Sequence, residues 1–181
     1  MKKLAIFALL AITCILLLSS CQGDADTPAG MKLASDTELV DYYLYVPTDW
    51  QTDMSTGITS AYASTADLSN VSVTSGFTEE STLKEFWDNT KATFDSTFDE
   101  FTVIEEGAEA TLGGLAAARY NYTAVYEGEE YQFLQYITVK GSQVYILTYT
   151  AKNTKSEELG YVPFEKNLDQ VLTIVEEFRF K

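Results

Sequence analysis

The sequence predicts an α+β fold: a single α/β/α sandwich in which a central antiparallel sheet of about six or more strands carries helices on both faces. Three observations predict it. From Leu112 to Thr150 the chain reads as strands joined by short glycine turns. Both faces of those strands carry large apolar or aromatic side chains, so each face needs a cover. Two stretches with apolar residues at helical spacing, one after Thr82 and one after Pro163, can supply it.

In chain order, Lys2 and Lys3 precede an uninterrupted apolar run from Leu4 to Leu18. As a helix that run is about 22 Å long, short of the roughly 30 Å hydrocarbon core. It suits the apolar region of a secretion signal better than a transmembrane helix. The run ends in Leu18-Ser19-Ser20-Cys21, which resembles the bacterial lipobox, whose cysteine thiol receives diacylglycerol before cleavage on its amino side. The resemblance implies that residues 1–20 are removed and that Cys21 becomes the lipidated first residue. An ordinary secretory signal with a cysteine at its boundary is the alternative. Cys14 falls inside the leader, so Cys21 is the one cysteine expected in the mature chain. Without an internal disulfide the domain must rest on its hydrophobic core. One acyl chain holds a protein marginally, at about 0.8 kcal/mol per buried CH₂, whereas a diacylglyceryl group holds it stably. The expected location is therefore the extracytoplasmic side of the bacterial cell membrane. Gln22 is not the aspartate associated with inner-membrane retention in enterobacteria, and a Gram-positive surface is preferred over a Gram-negative outer membrane.

Residues 21–35 are small and polar and are broken by Pro28 and Gly30, which reads as a flexible tether. The globular domain is expected over 36–181. Strands are expected at Tyr42–Val46, Ile58–Ser64 and Asn70–Ser75, with a short one near Phe101–Glu105. Thr82-Leu83-Lys84-Glu85 has the form of a capping box, and Leu83, Phe86, Trp87, Thr90 and Phe94 then share one helical face. Glycine turns at Leu112-Gly113-Gly114-Leu115, Glu127-Gly128 and Gly141-Ser142 separate the following hairpin strands. Pro163 suits the first turn of a second helix, whose expected buried stripe is Phe164, Leu168, Val171, Leu172 and Val175. A last strand is expected from Glu177 to Phe180.

The full chain carries a formal charge of −15. Nucleic-acid binding is excluded as an expectation, because phosphate contacts need clustered Lys and Arg. The same charge repels an anionic lipid surface. It suits basic or cation-bridged partners, or simply a solvated exterior.

Several segments together resemble the PsbP family, including its bacterial lipoprotein members, and more distantly the Mog1 and DcrB proteins. They are Tyr45-Val46-Pro47 followed by Trp50, Leu83-Lys84-Glu85-Phe86-Trp87, and Gly113-Gly114 followed by Ala117 and Tyr120. Tyr145-Ile146-Leu147-Thr148-Tyr149-Thr150-Ala151 and the closing helix before Phe178-Arg179-Phe180 complete the set. The resemblance spans about Tyr42 to Lys181 and implies an α/β/α sandwich serving as an extracytoplasmic accessory domain without known catalysis. Plant PsbP supports the oxygen-evolving centre of photosystem II, but the lipobox departs from that plastid-targeted form. No histidine-dependent contact of any relative can be carried over.

With no histidine in the chain, Ser-His-Asp and Cys-His catalysis, HExxH zinc sites and most transition-metal sites are excluded. GxSxG, P-loop and dinucleotide motifs are also missing. Three acidic groups, Asp95/Asp99/Glu100, Glu105/Glu106/Glu109 and Glu127/Glu129/Glu130, would hold Ca²⁺ only if the fold converged them. A solvated acidic face is the competing reading. The aromatic residues Tyr42, Tyr43, Tyr45, Trp50, Phe77 and Trp87 could line a pocket or simply fill a core. Trp50 is the ligand-binding candidate, because it follows Pro47 in an expected loop. The expected function is a non-enzymatic accessory or protein-binding lipoprotein, with no catalytic residue and no metal ligand. Its partners would be the bilayer, through the lipid on Cys21, and a protein of the cell envelope. The alternative is a small-ligand or Ca²⁺-binding module, a solute or cation sensor at the cell surface.

Overall fold

A computed structural model describes residues 27–36, 38–55 and 57–181. The leader, Cys21 and the first part of the tether lie outside the described residues. Eleven strands and two helices follow in the described chain. The N-terminal strands are β1 (Met31–Leu33), β2 (Tyr42–Tyr43), β3 (Tyr45–Pro47), β4 (Gln51–Asp53), β5 (Thr59–Tyr62) and β6 (Asn70–Phe77). Helix α1 (Leu83–Thr97) leads into β7 (Asp99–Leu112), β8 (Leu115–Tyr126), β9 (Glu129–Lys140) and β10 (Gln143–Lys152). Helix α2 (Pro163–Glu177) and β11 (Arg179–Phe180) end the chain.

Seven strands form one sheet in the order β4-β5-β6-β10-β9-β8-β7, with every neighbouring pair antiparallel. Positive φ at Gly113 and Gly114, and at Glu127 and Gly128, matches the two-residue hairpin turns expected between β7, β8 and β9. Alternate residues of the central strands enter two separate cores. Leu134 and Tyr136 of β9 and Tyr145, Leu147 and Tyr149 of β10 pack with Phe164, Val171 and Ile174 of α2. Ile137 and Val144, from the opposite face, pack with Trp87 of α1 and with Tyr120 and Tyr122 of β8. Helices therefore cover both faces, and the α/β/α sandwich is as expected.

Several boundaries differ from the sequence reading. Met31–Leu33, assigned to the tether, pairs with β3, and both Ala34 and Ser35 are buried. Ser35 Oγ donates to the Tyr42 carbonyl and accepts from the Leu44 amide, so the ordered domain starts before Asp36. The expected Tyr42–Val46 strand is split at Leu44, because β2 pairs with β11 whereas β3 pairs with β1. The short strand near Phe101–Glu105 is the start of the 14-residue β7. Register shifts between Val103 and Glu105 and between Glu105 and Ala108 break its alternation while its pairing to β8 continues.

Both helices also show local departures. Thr82 caps α1 by accepting from the Glu85 amide, and the Glu85 carboxylate turns back to accept from the amide and hydroxyl of Ser81, one residue before the cap. In α2, Leu172 was expected inside but is 36% exposed, and Asn167 and Ile174 are buried instead. The helix is turned so that its packed stripe runs through Phe164, Asn167, Val171, Ile174 and Val175.

Candidate functional site

Trp50 is buried rather than exposed. It is 1% exposed within the larger core, and its indole Nε1 donates to Gln170 Oε1 of α2 at 2.9 Å. The expectation of an exposed ring is thereby corrected. A tight turn, closed by the Trp50 amide on the Pro47 carbonyl, folds the ring inward, and Gln170 satisfies its one donor. The remaining aromatic candidates do not share a pocket. Tyr42 and Tyr45 join Trp50 in the larger core, Trp87 stacks on Tyr120 in the smaller one, and Phe77 is 81% exposed at the end of β6.

The acidic groups are dispersed. Glu105 faces α2 and accepts both Nε and Nη2 of Arg119 at 2.7 and 2.9 Å, a bidentate pair that holds Glu105 below its ordinary pKa and raises that of Arg119. Glu106 belongs to the other face, where it accepts the Trp87 indole N–H at 2.9 Å. Glu129 pairs with Lys152 at 3.2 Å, and Glu130 accepts from Asn153 Nδ2 at 2.8 Å. Asp95, Asp99 and Glu100 are all exposed. Among the described residues, no group of three or more Cys, Asp or Glu side chains converges as a metal site.

Sequence reasoning missed two features. The first is a recess of about 220 Å³ at the end of the sheet where β6 begins and β10 stops, lined by Asp67, Ser69, Asn70, Tyr131, Lys152 and Glu158 among others. Asp67, Ser69 and Asn167 form a buried polar cluster at its base. Asp67 Oδ1 accepts the Ser69 amide at 3.0 Å and the Ser69 hydroxyl at 2.5 Å; Oδ2 accepts Tyr161 Oη at 3.1 Å and Asn167 Nδ2 at 2.9 Å. Burial acts to raise the Asp67 pKa, but the bonds from Ser69, Asn167 and Tyr161 outweigh it and leave it lowered. The carboxylate is thus held ionised with both oxygens occupied. Its signal in sequence is only the Ser64-to-Ser69 turn composition, because Asn167 lies 100 positions away.

The second feature is a groove of about 420 Å³ on the α2 face, between α2 and the β7–β8 ribbon. Helix α2 packs over β10, while Leu112 and Ala117 bury one part of the β7–β8 ribbon and the part around Ile104, Arg119 and Asn121 is left lining the groove. Leu134, Phe164 and Leu168 lie along the groove, with Ile104 and Leu172 exposed by 56% and 36%. Arg119, Glu105 and Asn121 supply its polar groups. On the opposite face, Ser60, Ser72, Thr148 and Gln135 form one polar cross-strand row.

The sheet order, the two helices on opposite faces and the glycine hairpins define the Mog1/PsbP-like fold. Similar solved structures include cyanobacterial PsbP (CyanoP) from Synechocystis, at a TM-score of 0.58 and 15% identity, covering 91% of this chain and 99% of that one. LpqN of Mycobacterium tuberculosis, described as involved in cell envelope biogenesis, has a TM-score of 0.52 and 16% identity over 77% of this chain and 83% of its own. PA94 of Pseudomonas aeruginosa, a protein of unknown function described as a putative regulator, has a TM-score of 0.50 and 16% identity over 78% and 93%. At these identities the likeness is one of fold. No protein-family model matches the chain, and no curated protein matches it.

Proposed function

We propose that this chain is a non-enzymatic accessory domain of the bacterial cell envelope, anchored through a lipid on Cys21 and acting by binding another protein. The observation that carries this reading is the open groove beside α2, where Ile104 and Leu172 stand exposed in a strongly acidic protein. Exposed apolar side chains gathered in one concavity are a feature of docking surfaces. The one carboxylate buried among the described residues, that of Asp67, supports a binding role over acid–base chemistry. It is ionised and already accepts four hydrogen bonds, so it is poorly placed to donate or take up a proton. The Mog1/PsbP-like fold, shared with a protein involved in cell envelope biogenesis and with a cyanobacterial PsbP, is compatible with such a role. No helix among the described residues is long and apolar enough to cross a membrane. Lipid attachment is supported instead by Leu18-Ser19-Ser20-Cys21 directly after the apolar leader. Affinity capture of the full-length lipoprotein from crosslinked native membranes should recover a specific envelope protein. Repeated recovery of none would overturn the reading.

A second reading rests on the 220 Å³ recess, which has room for a small solute and offers Asn70, Tyr131, Lys152 and Glu158 as polar contacts. It makes the domain a solute or cation sensor. Under this reading, Ca²⁺ or a member of a basic-solute panel raises the melting temperature at saturation, and an unchanged melting temperature throughout removes it.

A further inference from the structure

We infer that the groove between α2 and the β7–β8 ribbon docks a short basic segment of a partner protein, anchored by an apolar side chain. The inference rests on the protein-binding reading and specifies both its surface and the chemistry of the partner. Three features of the groove lead to it.

The apolar floor is built by a backbone irregularity. In β7, Val103 pairs with Tyr122 and Glu105 with Asn121, which leaves Ile104 as an extra residue in the ladder. Such a bulge re-aims a side chain. Here it puts Ile104 into the groove next to Glu105, where regular alternation would send the two to opposite faces. On the opposite wall Leu172 leaves the packed stripe of α2 and joins Leu168 in the same concavity.

The net charge around this floor is negative. On α2, Glu165, Asp169 and Glu176 are exposed and stand three or four residues from Leu168 or Leu172, so they flank the groove on its solvent side. Lys166 lies on the other flank of the helix, one turn from the Gln170 that holds Trp50. The cation inside the groove, Arg119, is engaged bidentately by Glu105 and presents no uncompensated positive charge. An acidic rim above an apolar floor is complementary to Lys or Arg beside Leu, Ile, Val or Phe. A second copy of this chain would bring the same acidic rim against itself, which disfavours a symmetric pair.

The test has two arms. In the first, a fluorescein-labelled peptide of interspersed Leu and Lys is titrated onto the folded domain and its contacts are mapped by methyl NMR. Shifts should centre on Ile104, Leu168 and Leu172, and Leu172→Ser or Asp169→Lys should each weaken binding about tenfold. A peptide with Ser in place of Leu should bind at least tenfold more weakly, and one with Glu in place of Lys should not bind. Shifts centred elsewhere, or equal binding of the Ser peptide, would show general attraction to an acidic surface and overturn the proposal. A concentration-dependent dimer abolished by Leu172→Ser would also overturn it, assigning the groove to a second copy. In the second arm, a photocrosslinking residue replaces Leu172 or, as a control, the exposed Phe77 of the full-length lipoprotein in native membranes. Capture at 172 of a segment that mass spectrometry finds to be basic and apolar supports the groove. Capture only at 77 sinks the groove while leaving the protein-binding reading intact, and capture at neither counts against the reading itself.

Discussion

Asp67 joins segments far apart in the chain: its turn, the Tyr161 loop and the first turns of α2 meet on one carboxylate. Its pKa is lowered in the fold, so the native state binds fewer protons there than the unfolded chain does. The stabilisation is therefore fully present above the unfolded value of about 3.9 and is lost as pH falls through the native value. Replacing Asp67 with Asn turns an amide N–H₂ toward groups that already donate. We expect Asp67→Asn to cost about 1–3 kcal/mol at neutral pH and to flatten the loss of stability below about pH 4. Urea midpoints across that range measure both effects, and an unchanged acid limb would contradict the assignment. Gly113 gives a second test. A Cβ there would sit 2.6 Å from Phe180 Cδ2 at a φ of +59°, whereas at Gly114 it would meet nothing within 4 Å. Gly113→Ala should therefore lower stability clearly more than Gly114→Ala, since both pay for positive φ and only the first clashes.

At the level of elements, α2 shows what a hydrophobic pattern can and cannot specify. Leu168, Leu172 and Val175 follow helical spacing as well as Ile174 does, so a stripe centred on either is acceptable to the pattern. Docking against the sheet decides the rotation, because Asn167 must reach Asp67 and Gln170 must reach Trp50. Ile174→Ala should consequently cost about 2–5 kcal/mol, while Leu172→Ala should stay within about 0.5 kcal/mol. Comparable losses at the two positions in thermal unfolding would mean that the helix is turned otherwise. Strand β7 is a related case. Its sequence alternates poorly around Glu105–Gly107, so the pattern suggests a short strand, yet fourteen residues run beside β8 with bulges absorbing the irregularity. Those bulges and the acidic residues of this edge strand also discourage edge-to-edge association.

For the whole molecule, attachment and folding should separate. Both cores are assembled from described residues that begin at Met31. Cys21→Ser should therefore abolish labelling by radioactive fatty acid and release the protein from membranes, while leaving its melting temperature unchanged. Retained label would refute lipidation at Cys21. A chain beginning at Asp36 should behave in the opposite way. It loses β1 and Ser35, which bonds to both Tyr42 and Leu44, and its melting temperature should fall by several degrees.

Sequence by itself determined the expectation of a lipid address, the hairpin series, the two helices and the two-sided sheet. These depend on short-range signals: an apolar run before a cysteine, glycines at turns, a capping threonine and the periodicity of apolar residues. Only the tertiary structure decided that Met31–Leu33 is a strand, that Trp50 is buried and that Asp67 meets Asn167. It alone shows the groove, which arises from a bulge in β7 and the rotation of α2, elements separated by about fifty residues of chain. Local patterns record what each segment prefers. Which segments meet, and which apolar side chains remain uncovered when they do, is settled by packing across the sheet.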